Sequence, residues 1–125
     1  MHTGRFSPIA LVERQLQAYN ARDLAAFLEC FADDIRVEDA FGHLTVTGKA
    51  HMSRIYEALF ASSPTLHAEI AHRTSVDSFV FDDEQISGAV VQGRVTSMRA
   101  MVVYRAEHDA IAWMRVFSDC ASDQK

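Results

Sequence analysis

Three side-chain types in this chain stand where chemistry is available. From Ile35 to Asp39 the sequence alternates, so that a strand there would carry Ile35, Val37 and Asp39 on one face and Arg36 and Glu38 on the other. A carboxylate continuing an apolar face is partly desolvated, which raises its proton affinity and suits it to proton transfer as a general base. The same Asp39 would also serve to cap a turn before Gly42, and the residues alone leave both readings open. Gln15 falls at the edge of a helical apolar stripe, one turn before Tyr19. Its amide either faces solvent or donates a hydrogen bond alongside the Tyr19 hydroxyl. Tyr56 lies among Met52, Ile55, Leu59 and Phe60, a setting for core packing in which a buried hydroxyl still needs a partner. His2, His43, His51, His67, His72 and His108 make no ligand pair, and neither a metal signature nor a glycine-rich phosphate loop is present. We therefore expect no metal and no nucleotide or other cofactor.

The elements that must position these residues follow from periodicity. Ser7 caps a helix that Pro8 opens, with Ile9, Val12, Leu16 and Tyr19 as its buried stripe and Asn20 as its end. Asp23 caps a short second helix in which Leu24, Phe27, Leu28 and Phe31 share a face. A third runs through "TGKAHMSRIYEALFAS" to Pro64. From Leu66 onward the chain is rich in Val, Ile, Phe, Tyr, Trp and Thr, with breaks at Asp82-Asp83-Glu84, Gln92-Gly93 and Glu107-His108-Asp109 that read as hairpin turns. Helices followed by antiparallel strands predict an α+β fold, three N-terminal helices on a curved, mostly antiparallel sheet, with a pocket where the sheet curls.

Length and composition narrow the partners. The 125 residues suit one domain over 1–125, and 49% apolar with 23% charged residues is an ordinary globular balance. The net charge of −5 and the scattered basic residues argue against nucleic acid and for a small apolar or weakly polar molecule. No stretch is long and apolar enough to span a membrane, and no signal-peptide core stands at the N-terminus. Cys30 and Cys120 are far apart in sequence and fit a reduced, cytoplasmic setting.

The stretch "ALVERQLQAYNARDLAAFLECFADDIRVEDAFG", followed by a helix containing Tyr56, resembles the opening of ketosteroid isomerases. More loosely it resembles SnoaL-like polyketide cyclases and the wider nuclear transport factor 2-like superfamily, with the cystatin-like cone as the implied fold. The resemblance implies Asp39 as a proton-shuttling base at carbon next to a carbonyl, Tyr56 as a supporting tyrosine and Phe31 as an apolar wall. It also implies that Met114 and Val116 face the interior on the last strand. The chain departs from the pattern at both oxyanion donors, where Gln15 replaces a tyrosine and Val102 replaces a protonated aspartate. One such donor is worth about 3–4 kcal/mol, so the implied enzyme is not an efficient steroid isomerase but one with an altered oxyanion hole, built from Gln15, Tyr19 and Tyr56.

Two further readings come with the resemblance. "WMRVFSD" is similar to the end of the last strand in SnoaL-like proteins and limonene epoxide hydrolases, which implies Asp119 as a base activating water. Arg99 is present for such a set, although no second carboxylate stands two residues from it. The other reading is a catalytically silent ligand-binding or dimerisation module. If Met114 faces inward, Trp113, Arg115 and Phe117 lie on the opposite face, and these residue types suit a homodimer interface there.

Overall fold

In the computed structural model, which describes residues 7–119, three helices pack on a six-stranded sheet of order β2-β1-β6-β5-β4-β3. The elements are α1 (Pro8–Ala21), α2 (Leu24–Leu28), β1 (Phe31–Glu38), β2 (Leu44–Thr47), α3 (Lys49–Ser62), β3 (His67–Val76), β4 (Phe79–Val91), β5 (Arg94–Glu107) and β6 (Ala110–Ser118). Neighbouring strands run antiparallel except β1 and β6, which pair in parallel. The α+β expectation holds; the strand expected from Ile35 forms as β1 between α2 and α3, and the four-residue β2, not expected from sequence, joins it there. Among the described residues no helix is long and apolar enough to cross a membrane. Cys120 and the last residues, like the first six, lie outside the described residues.

The caps act as the sequence suggests. The Ser7 hydroxyl accepts from Ala10 N at 3.1 Å, and the Asp23 carboxylate accepts from Ala26 N at 3.1 Å. Helix α1 runs past Asn20 to Ala21 and ends on Arg22, whose φ of +54° satisfies the last carbonyls with its N–H. Asn20 has another task. Its side chain accepts from Ala68 N at 2.7 Å and donates to Ala68 O at 3.0 Å, fastening the end of α1 to β3. Phe31 belongs not to α2 but to the start of β1, and is fully buried against Phe27.

Two of the three expected hairpins form where expected, at Gln92-Gly93 between β4 and β5 and at His108-Asp109 between β5 and β6. The third is misplaced. The β3–β4 turn is Asp77-Ser78, between the paired Val76 and Phe79, and Asp77 takes the left-handed conformation with φ +56°. Asp82-Asp83-Glu84 is instead the middle of β4, and three consecutive acids are tolerated there because alternation separates them. Asp82 and Glu84 point to the helix side and are buried, while Asp83 faces the outer surface and pairs with Arg99 at 2.7 Å. Beyond them, Gly88 (φ +77°) sits at a bulge in β4, where an added Cβ would lie 2.3 Å from Thr65 O. The helix side of the sheet carries Val80, Ala100, Val102, Tyr104 and Met114, closed over by Val12, Phe27, Met52 and Phe60.

Candidate functional site

A pocket opens between α1, α3 and the inner face of the sheet. Its cavity volume is about 90 Å³, within a half-open recess of about 460 Å³ that includes the mouth. The apolar walls come from the sheet: Ala68 on β3, Ile86 on β4, Ala100 and Val102 on β5, Met114 and Val116 on β6. Helix α1 adds Gln15, Leu16 and Tyr19, and α3 adds Tyr56. Glu84 and Tyr104 complete the lining with a carboxyl and a phenol on adjacent strands.

Glu84 is the acid among the lining residues of this pocket. It is 6% exposed, and its Oε2 accepts a hydrogen bond from the Tyr104 hydroxyl at 3.1 Å, the one bond of its side chain among the described residues. Burial pushes its carboxyl up to about 7, the neighbouring Asp82 charge adds to that, and the Tyr104 bond and the Arg73 charge oppose it. Asp82, two residues away on the same face and 1% exposed, is held by Arg73 through a bidentate pair at 2.6 and 2.9 Å. The third branch of the Arg73 fork reaches Glu13 on α1 at 2.8 Å. Arg73 is therefore fully engaged with Asp82 and Glu13, and Glu84 is left to a phenol.

Tyrosines surround Glu84. Burial first, and then the Glu84 charge, pushes Tyr56 up to about 12. Burial raises Tyr19 further still, with Tyr56 and Glu84 adding to it, and Tyr104 is raised by burial and the Glu84 and Asp82 charges. All three phenols are therefore neutral donors at physiological pH. The Tyr19 and Tyr56 hydroxyls make no hydrogen bond to other described residues, so their capacity is directed at whatever occupies the pocket. Their rings interlock with Phe27 and Phe60 at centroid distances of 4.7–6.1 Å, and with each other at 6.4 Å. Gln15 is buried rather than a solvated helix edge; its Nε2 reaches only Val12 O at 3.4 Å.

Of the residues singled out from sequence, Gln15, Tyr19, Tyr56, Val102, Met114 and Val116 come together here. Phe31 does not line the pocket; it is core, 2% exposed. Asp39 is also elsewhere. Strand β1 shifts register between Val37 and Glu38 and ends at Glu38, so the alternation that carries Ile35 and Val37 inward stops one residue short of Asp39. The Asp39 Oδ1 accepts from Phe41 N and His43 N, both at 2.9 Å, with His43 Nδ1 3.4 Å from Oδ2. Those backbone bonds, His43's foremost, hold its carboxyl below the usual range, which disfavours it as a base. Its placement matches the turn-capping reading.

Asp119 is exposed at the end of β6, where its Oδ1 accepts from Arg99 N at 2.8 Å. Arg99 does stand between two carboxylates, Asp83 and Asp119, but on the outer, solvated side and not at the pocket. What sequence reasoning missed is Glu84. The signal was available in the alternation of Val80, Asp82, Glu84 and Ile86, once the turn is moved back to Asp77-Ser78.

A family model described as the SnoaL-like domain matches residues 12–114. No curated protein matches the chain. Among solved structures, an uncharacterised cystatin-fold protein from Novosphingobium aromaticivorans aligns with TM-score 0.81 at 24% identity, over 89% of this chain and 97% of that one. A candidate SnoaL-like polyketide cyclase from Jannaschia sp. CCS1 aligns with TM-score 0.76 at 15% identity, covering 95% and 91% respectively. A protein of ketosteroid isomerase-like fold from Catenulispora acidiphila, in complex with trimethylamine, gives TM-score 0.70 at 17% identity, with 85% and 82% covered. At these identities the structural likeness concerns the fold.

Proposed function

The chain belongs to the SnoaL-like domain family, and from that premise we propose that it is a cofactor-independent enzyme moving a proton at carbon next to a carbonyl, with Glu84 as the acid–base group. The observation that carries this reading is a buried carboxyl, near neutral in proton affinity, at the edge of an apolar pocket and beside phenols with spare donors. In its ionised form Glu84 takes the proton from carbon. The electron pair of the C–H bond moves into the enolate, and a Tyr56 or Tyr19 hydroxyl donates to the developing oxygen charge. Return of the proton from Glu84 to another carbon completes an isomerisation. This puts in Glu84 the role that resemblance gives to Asp39, and in the tyrosines the role of the missing donors.

The test needs no knowledge of the natural substrate. Hydrogen–deuterium exchange of a small ketone in D2O, followed by proton NMR, reports abstraction directly. The protein should accelerate exchange over buffer, and Glu84→Gln should remove about 10²- to 10⁴-fold of that acceleration. No acceleration by the parent protein, or full acceleration by the variant, sinks the proposal and leaves a ligand-binding module.

We also propose that the outer face of the sheet forms a homodimer. It carries Trp113, stacked edge-on against Phe79 at 6.3 Å, with Arg115 over its ring at 5.8 Å and Phe117 38% exposed. Gel filtration of the wild type should give a dimer, and Phe117→Glu a monomer; a monomeric wild type at micromolar concentration counts against it.

A further inference from the structure

The pocket is small for the fused-ring substrates that a steroid isomerase-like reading implies. A dry apolar cavity of about 150 Å³ is known to take a single benzene ring. The cavity volume here is about 90 Å³. A ring of five or six atoms seats itself with one edge in the mouth, and a second fused ring has nowhere to go but solvent.

The walls are held against expansion. Helix α1, which forms one side, is fastened to β3 at two points. Arg73 on β3 grips Glu13 at 2.8 Å, and two turns on, Asn20 makes paired hydrogen bonds to the backbone of Ala68 while Arg22 donates to Leu66 O at 3.1 Å. Tyr19 and Tyr56, on the two helices beside the pocket, are interlocked with each other and with Phe27 and Phe60, so one helix does not swing out without unpacking the other. Two alanines, Ala68 and Ala100, already supply what room there is on the sheet side.

The lining also sets the ligand's charge. Among the described residues no arginine, lysine or histidine lines the pocket, and the nearby guanidinium, Arg73, is taken by Asp82 and Glu13. A bound carboxylate or phosphate would meet the Glu84 carboxyl with no counter-charge in the lining. Neutral hydrogen-bond acceptors meet the Tyr19 and Tyr56 hydroxyls instead.

We propose that the pocket selects a compact, uncharged, single-ring or similarly branched carbonyl compound and rejects fused-ring and anionic ones. This rests on the pocket being the functional site, and its test is binding, not turnover. Methionine methyl groups labelled with carbon-13 give a local reporter. Met114 lines the pocket, whereas Met101 is 41% exposed on the outer face and serves as control. Cyclopentanone, decalone, androstenedione and cyclopentanecarboxylate are titrated against the full chain. Cyclopentanone should move the Met114 resonance saturably and leave Met101 in place, with decalone at least about tenfold weaker and the other two without effect at Met114. Ile86→Ala, which enlarges the wall and keeps the reporter, should narrow the gap between cyclopentanone and decalone. Androstenedione or decalone binding as tightly as cyclopentanone overturns the size limit, and cyclopentanecarboxylate doing so overturns the charge limit. No Met114 shift with any ketone overturns the proposal as a whole. Selective binding without deuterium exchange leaves this selectivity standing and defeats the catalytic reading; exchange on decalone does the reverse.

Discussion

Glu84 should make this protein less stable as the pH rises from about 4.5 to about 7, and Glu84→Gln should abolish that loss. In the unfolded chain the carboxyl titrates near its ordinary value of 4.5, and in the folded chain at about 7. Between those two values the folded protein holds a proton that the unfolded chain has released. Stability therefore falls with increasing pH, and the loss is complete once the pH passes the folded value. The difference between 4.5 and about 7, at about 1.4 kcal/mol per pH unit, amounts to about 3 kcal/mol. Because the group is 6% exposed, solvent screening takes little from this figure. The glutamine amide keeps the acceptor for Tyr104 and never ionises. Because the unfolded carboxyl is already mostly ionised at pH 5, the advantage of the variant over the wild type should grow by about 2–3 kcal/mol between pH 5 and pH 8. Urea unfolding of both proteins at half-unit intervals from pH 5 to 8, at one protein concentration, measures the difference. Subtracting one curve from the other removes the histidines and the other carboxylates common to both. Parallel curves across this range would refute the placement of Glu84 as a buried, unpaired acid.

Three other outcomes follow from neighbouring contacts. Arg73→Gln strands Asp82, 1% exposed, without its counter-ion and should cost about 3–5 kcal/mol in urea unfolding; adding Asp82→Leu should recover most of that. Gly88→Ala puts a Cβ 2.3 Å from Thr65 O at a φ of +77°, and should lower stability by about 2 kcal/mol or more in the same assay. Asp39→Ala removes two acceptor contacts from the turn before β2 and should lower the melting temperature while leaving ketone exchange within about twofold of the wild type. A fall comparable to that of Glu84→Gln would return the base role to Asp39.

The helices and the fold class were legible because their signals are local. Ser7-Pro8 and Asp23 cap within three residues of themselves, and Gln92-Gly93 supplies two adjacent positive φ values from residue types that accept them. The inward face of β6, Met114 and Val116, was legible for a different reason: the family resemblance fixed which of two alternating faces is buried. Asp39 failed at a boundary. Alternation is right up to Val37, but a carboxylate needs only the N–H groups two and four residues ahead to close a turn, and at Asp39 that local arrangement displaces the strand.

Glu84 was hidden by its neighbours, since three consecutive acids look like a solvated turn until their partners are known. Those partners are distant in sequence. Arg73, nine residues back, takes Asp82, and Arg99, sixteen residues ahead of Asp83, takes that one on the opposite face. Only cross-strand register brings them into place, and register depends on the position of the Asp77-Ser78 turn. Once two of the three charges are matched, the third is conspicuous. Glu84 has a phenol where its neighbours have guanidinium groups, and a neutral donor does not offset the desolvation of a charge as a cation does. A candidate acid on an apolar face is thus singled out less by being there than by being the one whose charge the fold leaves without a cationic partner.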